Sequence, residues 1–209
     1  MIYPAIYDTT ILQNATWKAV LRATEQRQVL SGVTVSGGYA LFTAPCHGLT
    51  NGTKVVFTAE DLTASGATGV VTISGVKVPC GLSLNSIYFV LSSGLTNNAF
   101  YVATTSGGTA VQIQSNGEGV FYAAKPVNLT GYTVDADVRG IIQDVQVATF
   151  NCSITDAVNG EFLVTMPPAV SSGIEAGRYN YDVSLTNGPG ERYYWLSGIA
   201  TVQRTYSRN

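Results

Sequence analysis

Apolar and polar residues alternate along much of the chain. In the segment 16–22, Trp17, Ala19 and Leu21 lie on one side of the pattern, and both charged residues lie on the other. Because successive side chains of a strand point to opposite faces, this period of two predicts a strand with one buried face. Similar runs predict further strands at residues 132–139, 161–166, 179–186 and 193–202.

Turn residues separate these segments. Asn159-Gly160 and the run 187–190 lie between predicted strands, and asparagine and glycine tolerate the positive φ angles of tight hairpin turns. We expect a bend in the last strand at Gly198. No segment keeps a 3.6-residue apolar period, although one helical turn is expected within 169–177. The pattern therefore predicts an all-β fold.

The composition agrees with many short strands and tight turns. The chain has 24 Thr, 16 Ser, 12 Asn and 22 Gly. Charged residues make up only 11% of it, against about 25% in typical soluble domains. With 11 basic and 13 acidic residues the net charge is −2. Binding of nucleic acid through phosphate neutralisation needs a concentrated basic surface, so we expect no nucleic-acid partner.

The sequence gives no sign of a membrane or secretory role. No apolar run approaches the roughly 20 residues that would span a bilayer, so we expect no membrane partner. The first ten residues do not combine a basic region with an apolar stretch, and the three cysteines are an odd number. We therefore expect a protein that folds in a reducing cytoplasm, without a secretory signal or a disulfide framework.

Charge is unevenly distributed along the chain. Residues 33–122 contain only five charged residues, while the flanks hold the other nineteen. This middle region has its own short apolar runs between Gly, Ser and Asn turns, and it predicts a second small β domain. Its predicted strands are 39–43, 54–58, 70–73, 87–91, 99–103, 110–113 and 119–122.

The flanks carry motifs that resemble a small β-sandwich module of tailed-phage virion proteins. The opening strand of that module matches ILQNATW at 11–17, and its partner strand matches PVNLTGY at 126–132. The resemblance continues through the segments 160–165, 177–182 and 196–202. It implies an immunoglobulin-like antiparallel β-sandwich that anchors the protein in the particle.

The middle region resembles a different phage-associated β module. Its marks are TAPCHGLTNG at 43–52, GLSLNSIYFV at 81–90 and NAFYVATTSGG at 98–108. Cys46, Thr53 and the stretch 60–78 depart from that module's usual pattern.

Together the two resemblances imply an insertion after the first strand of the sandwich. Residues 1–32 and 123–209 then form one discontinuous domain, and residues 33–122 form the inserted domain. This arrangement predicts that the segments 25–32 and 123–127 lie side by side.

Few residues suggest chemistry. His47, alone or with Cys46 or Cys80, is a candidate general base or metal ligand, but no second histidine or Cys-x-x-Cys pair accompanies it. We therefore interpret His47 as a turn residue with local hydrogen bonds. Asp135 and Asp137 share one strand face, where an exposed surface paired with Arg139 or Arg178 is favoured over a catalytic or calcium site. We expect no catalytic, cofactor-binding or metal-binding residue.

The aromatic residues are better candidates for function. Tyrosine and tryptophan are enriched at protein interfaces, because a rigid apolar ring carries a polar tip. The candidate interface residues are Tyr3, Tyr7, Tyr193, Tyr194 and Trp195. The candidate exposed aromatic residues of the inserted domain are Tyr88, Tyr101 and Tyr122.

The resemblance and the weak charge together predict a non-enzymatic structural protein of a tailed phage virion. We expect it in the tail, the baseplate or the neck, assembled in the host bacterial cytoplasm, with other virion proteins and copies of itself as partners. Two alternatives stay open. One is a capsid decoration or cement protein, and the other is a receptor-binding or carbohydrate-binding module whose inserted domain contacts a host-surface glycan.

Overall fold

The computed structural model describes residues 5–59 and 78–205. Among them, the chain divides into two compact units. The first unit comprises residues 5–23 and 128–205, and the second comprises residues 24–59 and 78–127. Each unit is built from β-strands, so the predicted all-β fold class is confirmed.

Most predicted strands are present with bounds shifted by a few residues, whereas the strands at 5–6, 9–12, 28–29, 32–36, 146–149 and 151–156 were not predicted. In the described ranges, the strands up to residue 124 are β1 (Ala5–Ile6), β2 (Thr9–Leu12), β3 (Trp17–Arg22), β4 (Gln28–Val29), β5 (Gly32–Ser36), β6 (Tyr39–Thr43), β7 (Lys54–Ala59), β8 (Ile87–Val90), β9 (Ala99–Phe100), β10 (Val102–Ala103) and β11 (Phe121–Ala124). The remaining strands are β12 (Thr133–Gly140), β13 (Gln146–Thr149), β14 (Asn151–Asp156), β15 (Glu161–Met166), β16 (Gly177–Thr186) and β17 (Arg192–Gln203). A 3-10 turn spans Ala157–Asn159, and the short helix α1 spans Pro168–Ser171.

The first unit is a β-sandwich. One sheet has the order β1-β17-β16-β12-β13, with β2 also paired with β17, and the other has the order β14-β15-β3. The long strands are antiparallel as predicted, whereas β1 and β2 run parallel to β17. Aromatic rings fill the space between the sheets, where Phe162 of β15 lies 5.4 Å from Trp195 of β17 and Trp17 lies 5.2 Å from Phe150.

The second unit also has two sheets. Five strands have the order β10-β8-β7-β11-β4, and three have the order β5-β6-β9. Its core is centred on three fully buried rings, with Phe42 stacked on Phe57 at 4.4 Å and on Phe100 at 5.5 Å. Isolated bridges replace the strand predicted at 110–113, and the strand predicted at 70–73 lies outside the described residues.

The chain enters and leaves the second unit on paired strands. Val29 of β4 pairs with Tyr122 of β11, and the amide of Glu25 donates to the carbonyl of Lys125 at 2.8 Å. The predicted adjacency of 25–32 and 123–127 is therefore observed. Because β4 pairs with β11, these segments group with the second unit, so the unit boundaries lie at residues 23/24 and 127/128.

Gly198 has a different role from the predicted bend. The irregular register between β16 and β17 lies at Trp195, because Val183 pairs with Leu196 and Ser184 pairs with Tyr194. A Cβ atom at Gly198 would overlap the backbone carbonyl of Tyr7. Glycine at this position lets the N-terminal segment lie directly against β17.

Candidate interaction surface

The aromatic side chains with the highest exposed fractions in the described part of the first unit lie at the start of β17. Tyr193 is 41% exposed and Tyr194 is 52% exposed. The turn between β16 and β17 closes with hydrogen bonds from the Asn187 amide to the Glu191 carbonyl at 3.0 Å and from the Gly190 amide to the Asn187 carbonyl at 2.9 Å. The predicted hairpin turn at 187–190 therefore places both tyrosines beside it.

Tyr193 is held in position by its neighbours. Its hydroxyl donates to Glu191 Oε2 at 2.7 Å, and the same carboxylate accepts from Asn187 Nδ2 at 2.7 Å. The amide of Glu191 in turn donates to Asn187 Oδ1 at 2.8 Å. These hydrogen bonds lower the pKa of Glu191, which keeps the carboxylate charged, and they raise the pKa of Tyr193. An ordered exposed ring loses less side-chain entropy on binding than a mobile one.

Tyr194 occupies the opposite face of β17, beside Arg192. The guanidinium of Arg192 lies 5.8 Å from the Tyr194 ring centre. Its Nε donates to Ser184 Oγ at 2.8 Å, and its Nη2 lies 3.8 Å from Asp135 Oδ2. Tyr193 and Tyr194 therefore remain candidate interface residues on both faces of one strand end.

The other three candidate interface residues differ from this pair. Trp195 is half-buried and packs against Phe162, so much of its ring belongs to the core. Tyr7 is half-buried, its amide donates to the Ser197 carbonyl at 2.9 Å, and its carbonyl accepts from the hydroxyl of Tyr181. Tyr3 lies outside the described residues.

Tyr88, Tyr101 and Tyr122 were predicted to be exposed aromatic residues, and for Tyr88 and Tyr122 this prediction is wrong. Tyr88 is 3% exposed, because it lies on the inner face of β8 and its hydroxyl accepts from the Ser83 amide at 2.9 Å. Tyr122 is 9% exposed and lies under the guanidinium of Arg27, 4.6 Å from the ring centre. Tyr101 is half-buried.

An exposed aliphatic cluster was missed by the sequence analysis. It lies on the hairpin that joins β12 to β13, where Ile142 is 96% exposed. Ile141, Val145 and Val147 are 49%, 57% and 44% exposed. Several large apolar side chains on one exposed hairpin are characteristic of interaction sites. The signal in the sequence is the run IIQDVQV at 141–147, in which aliphatic residues occupy a turn between two strands.

His47 makes the local hydrogen bond that was expected from the sequence. It is 3% exposed, its Nδ1 accepts from the Leu49 amide at 2.9 Å, and its ring meets Phe100 edge-on at 5.1 Å. A cavity of about 180 Å³ beside it is lined by residues including Glu25 and Lys125. That volume is below the roughly 300–1,000 Å³ of ordinary small-molecule sites.

The cysteines do not form a centre with His47. Cys46 and Cys80 are free and exposed. Burial, with smaller contributions from two aspartates, raises the pKa of the Cys152 thiol to about 11. In the described part of the chain, no group of three or more His, Cys, Asp or Glu side chains is arranged to hold a metal ion. No helix there is long and apolar enough to cross a membrane.

The outer face of the larger sheet carries a row of carboxylates. Arg139 lies 3.6 Å from Asp137, one of the pairings expected from the sequence, and Arg192 lies near Asp135. Asp137 pairs directly with Asp182 across β12 and β16. Burial and the adjacent Asp137 carboxylate raise the pKa of Asp182. The row is a charged surface paired with arginines, as interpreted from the sequence.

Comparisons with known proteins define no family for this chain. No protein-family model and no curated protein sequence matches it. Among solved structures, AggA, the major subunit of aggregative adherence fimbriae type I from Escherichia coli, aligns over 91% of this chain and 97% of its own. The identity is 12% and the TM-score is 0.14. A TM-score this low carries no argument about fold or function.

Proposed function

We propose that this protein is a non-enzymatic structural component of a tailed phage virion, located in the tail, the baseplate or the neck. The proposal rests on the sequence motifs of both units and on one structural observation. The first unit presents the ordered aromatic pair Tyr193 and Tyr194 and the exposed aliphatic hairpin around Ile142. Such surfaces suit contacts with other subunits, including copies of this chain.

Repeated copies of the chain in a symmetric assembly would strengthen the binding that these contacts provide. A stable protein–protein interface buries roughly 1,200–2,000 Å² in total, far more than four aliphatic and two aromatic side chains supply. Closed symmetry multiplies a modest contact, because subunits already joined at one place meet again at high effective concentration. A weakly charged surface also reduces the desolvation cost at each contact.

Assembly of particles carrying substituted chains tests the proposal. We expect Ile142→Asp, and separately the double substitution Tyr193→Ala/Tyr194→Ala, to lower incorporation into particles at least about tenfold, since interface hot spots contribute more than 1.4 kcal/mol each. Val158→Asp is the matched control, because Val158 is an exposed aliphatic residue of the same unit at 55%. Normal incorporation of both variants would contradict the proposed surface.

The place in the particle needs a separate experiment. Immunogold labelling of intact particles with an antibody to this chain should mark the tail, the baseplate or the neck. Labelling distributed over the head would favour a capsid decoration protein. Absence of the chain from purified particles would contradict a virion role altogether.

A further inference from the structure

Four asparagines of the chain precede a glycine, and their surroundings differ. They are Asn51, Asn116, Asn159 and Asn187. In such a pair, the glycine amide nitrogen can attack the side-chain Cγ of the asparagine, because glycine has no side chain to block the approach. Attack requires a glycine N–H that is not engaged in a hydrogen bond and an asparagine carboxamide that is not held at both its oxygen and its nitrogen.

Two of the pairs are restrained at the glycine. The Gly52 amide donates to the Val90 carbonyl at 2.8 Å. This hydrogen bond holds the Gly52 nitrogen in place and hinders its attack on Cγ of Asn51. The Gly160 amide donates to the Ala157 carbonyl at 3.1 Å, and Asn159 Nδ2 donates to Asp156 at 2.7 Å.

A third pair is restrained at the carboxamide. Asn187 accepts from the Glu191 amide through Oδ1 and donates to the Glu191 carboxylate through Nδ2. Both ends of this carboxamide are therefore held away from the following glycine.

Asn116 is arranged differently. It is exposed, and the amide of Gly117 makes no hydrogen bond within the described residues. Its Oδ1 accepts from the backbone amide of Val35 at 3.2 Å. Val35 belongs to β5, the outer strand of its sheet, so this N–H points away from β6 and is available to a side chain.

We propose that Asn116 is a site of spontaneous deamidation promoted by the fold. The Gly117 nitrogen bonds to Cγ of Asn116, and the tetrahedral carbon gathers negative charge on Oδ1. The Val35 N–H donates to that oxygen, the arrangement that stabilises an oxyanion in acyl-transfer sites. Nδ2 takes up a proton and leaves as ammonia, while the Gly117 nitrogen loses its proton to water.

Water then opens the resulting succinimide at either carbonyl. One route gives aspartate and the other gives isoaspartate, and both add one negative charge to the net charge of −2. Isoaspartate also inserts a methylene into the backbone beside β5. The modification therefore changes both the charge and the shape of this edge of the second unit.

Incubation of the full chain at mildly alkaline pH, followed by peptide mapping by mass spectrometry, tests the proposal. We expect deamidation at Asn116 to be at least about fivefold faster than at Asn51, the factor that one net backbone hydrogen bond contributes. In urea, where the fold is lost, the two rates should converge. Equal rates in the folded chain, or faster reaction at Asn116 in urea than in the folded state, would overturn the proposal.

A substitution at Glu191 tests whether hydrogen bonds to the asparagine carboxamide, and not solvent exposure alone, control the rate of deamidation. Glu191→Ala removes the carboxylate that holds Asn187 Nδ2, so deamidation at Asn187 should increase while the rate at Asn116 stays unchanged. Unchanged deamidation at Asn187 would show that these hydrogen bonds do not control the reaction, and this result would also overturn the argument for Asn116. Neither outcome depends on the virion role of the protein.

Discussion

Replacing Gly198 by alanine should destabilise the protein, contrary to the usual effect of this substitution in a strand. The φ angle of Gly198 lies outside the left-handed region, so alanine can adopt the same backbone conformation. Alanine in place of glycine then normally stabilises a protein by about 0.4–1 kcal/mol, because the unfolded chain loses freedom. Here the added Cβ overlaps the Tyr7 carbonyl and approaches the Tyr181 ring.

The magnitude follows from the contacts that Tyr7 must give up. Displacing its carbonyl leaves the hydroxyl of Tyr181, a residue only 3% exposed, without its acceptor. An unpaired buried hydroxyl costs about 1–3 kcal/mol, and the lost bond between the Tyr7 amide and the Ser197 carbonyl costs about 1 kcal/mol more. After subtracting the favourable backbone effect, we expect Gly198→Ala to lower the free energy of unfolding by about 1–3.5 kcal/mol.

Urea unfolding followed by tryptophan fluorescence measures this difference. Gly177→Ala is the matched control, because Gly177 lies at the start of β16 and its added Cβ meets only ordinary contacts, the nearest at 3.7 Å. Hydrogen exchange should also show faster exchange of the amides in β1 and β2 in the Gly198 variant. If Gly198→Ala is as stable as Gly177→Ala and these amides stay protected, the assigned packing of Tyr7 on β17 is wrong.

Three further predictions concern charge, core packing and thiol reactivity. The raised pKa of Asp182 means that the charged carboxylate is less favourable in the folded state than in the unfolded state. Asp182→Asn removes this charge and should therefore add up to about 1 kcal/mol of stability at neutral pH. That gain should shrink as pH falls into the range where the wild-type carboxyl protonates, which urea unfolding at pH 7 and at successively lower pH values would show. Phe42→Ala should cost about 3–5 kcal/mol in thermal or urea unfolding, because the fully buried ring stacks on two others. With a raised pKa and a half-buried position, Cys152 should react with a disulfide reagent at pH 8 more slowly than Cys46 and Cys80 do.

Each of these predictions has a contradicting result. A destabilised Asp182→Asn variant at neutral pH would mean that the carboxylate makes favourable contacts that outweigh repulsion from Asp137. A cost below about 1 kcal/mol for Phe42→Ala would mean that the second unit repacks around the lost ring. Labelling of all three thiols at one rate would mean that Cys152 is readily accessible.

Strand positions could be read from the sequence, because burial on one face repeats every two residues. The period at Trp17, Ala19 and Leu21 appears in β3, and the run Tyr179–Thr186 appears in β16. Short strands such as β1 and β4 contain two residues each and offer no period to recognise. Their positions depend on pairing with strands that are distant in sequence.

The direction of individual aromatic side chains could not be read in the same way. Alternation separates two faces of a strand without saying which one is buried, and in β8 the inner face carries Tyr88. In β11 all four residues are buried, so Tyr122 has no exposed face to occupy. The exposed hairpin at Ile142 was missed because aliphatic residues in a strand-like run are ordinarily assigned to a core.

The pairing of β4 with β11 has a consequence for engineering the chain. Thr24 and Pro126 form an isolated antiparallel bridge just outside these strands, so the chain positions 23/24 and 127/128 lie about a single strand spacing apart. Two chain ends this close can be joined by a hairpin loop of about two to five residues. A linker that joins residue 23 to residue 128 therefore needs to span only the distance between two neighbouring strands.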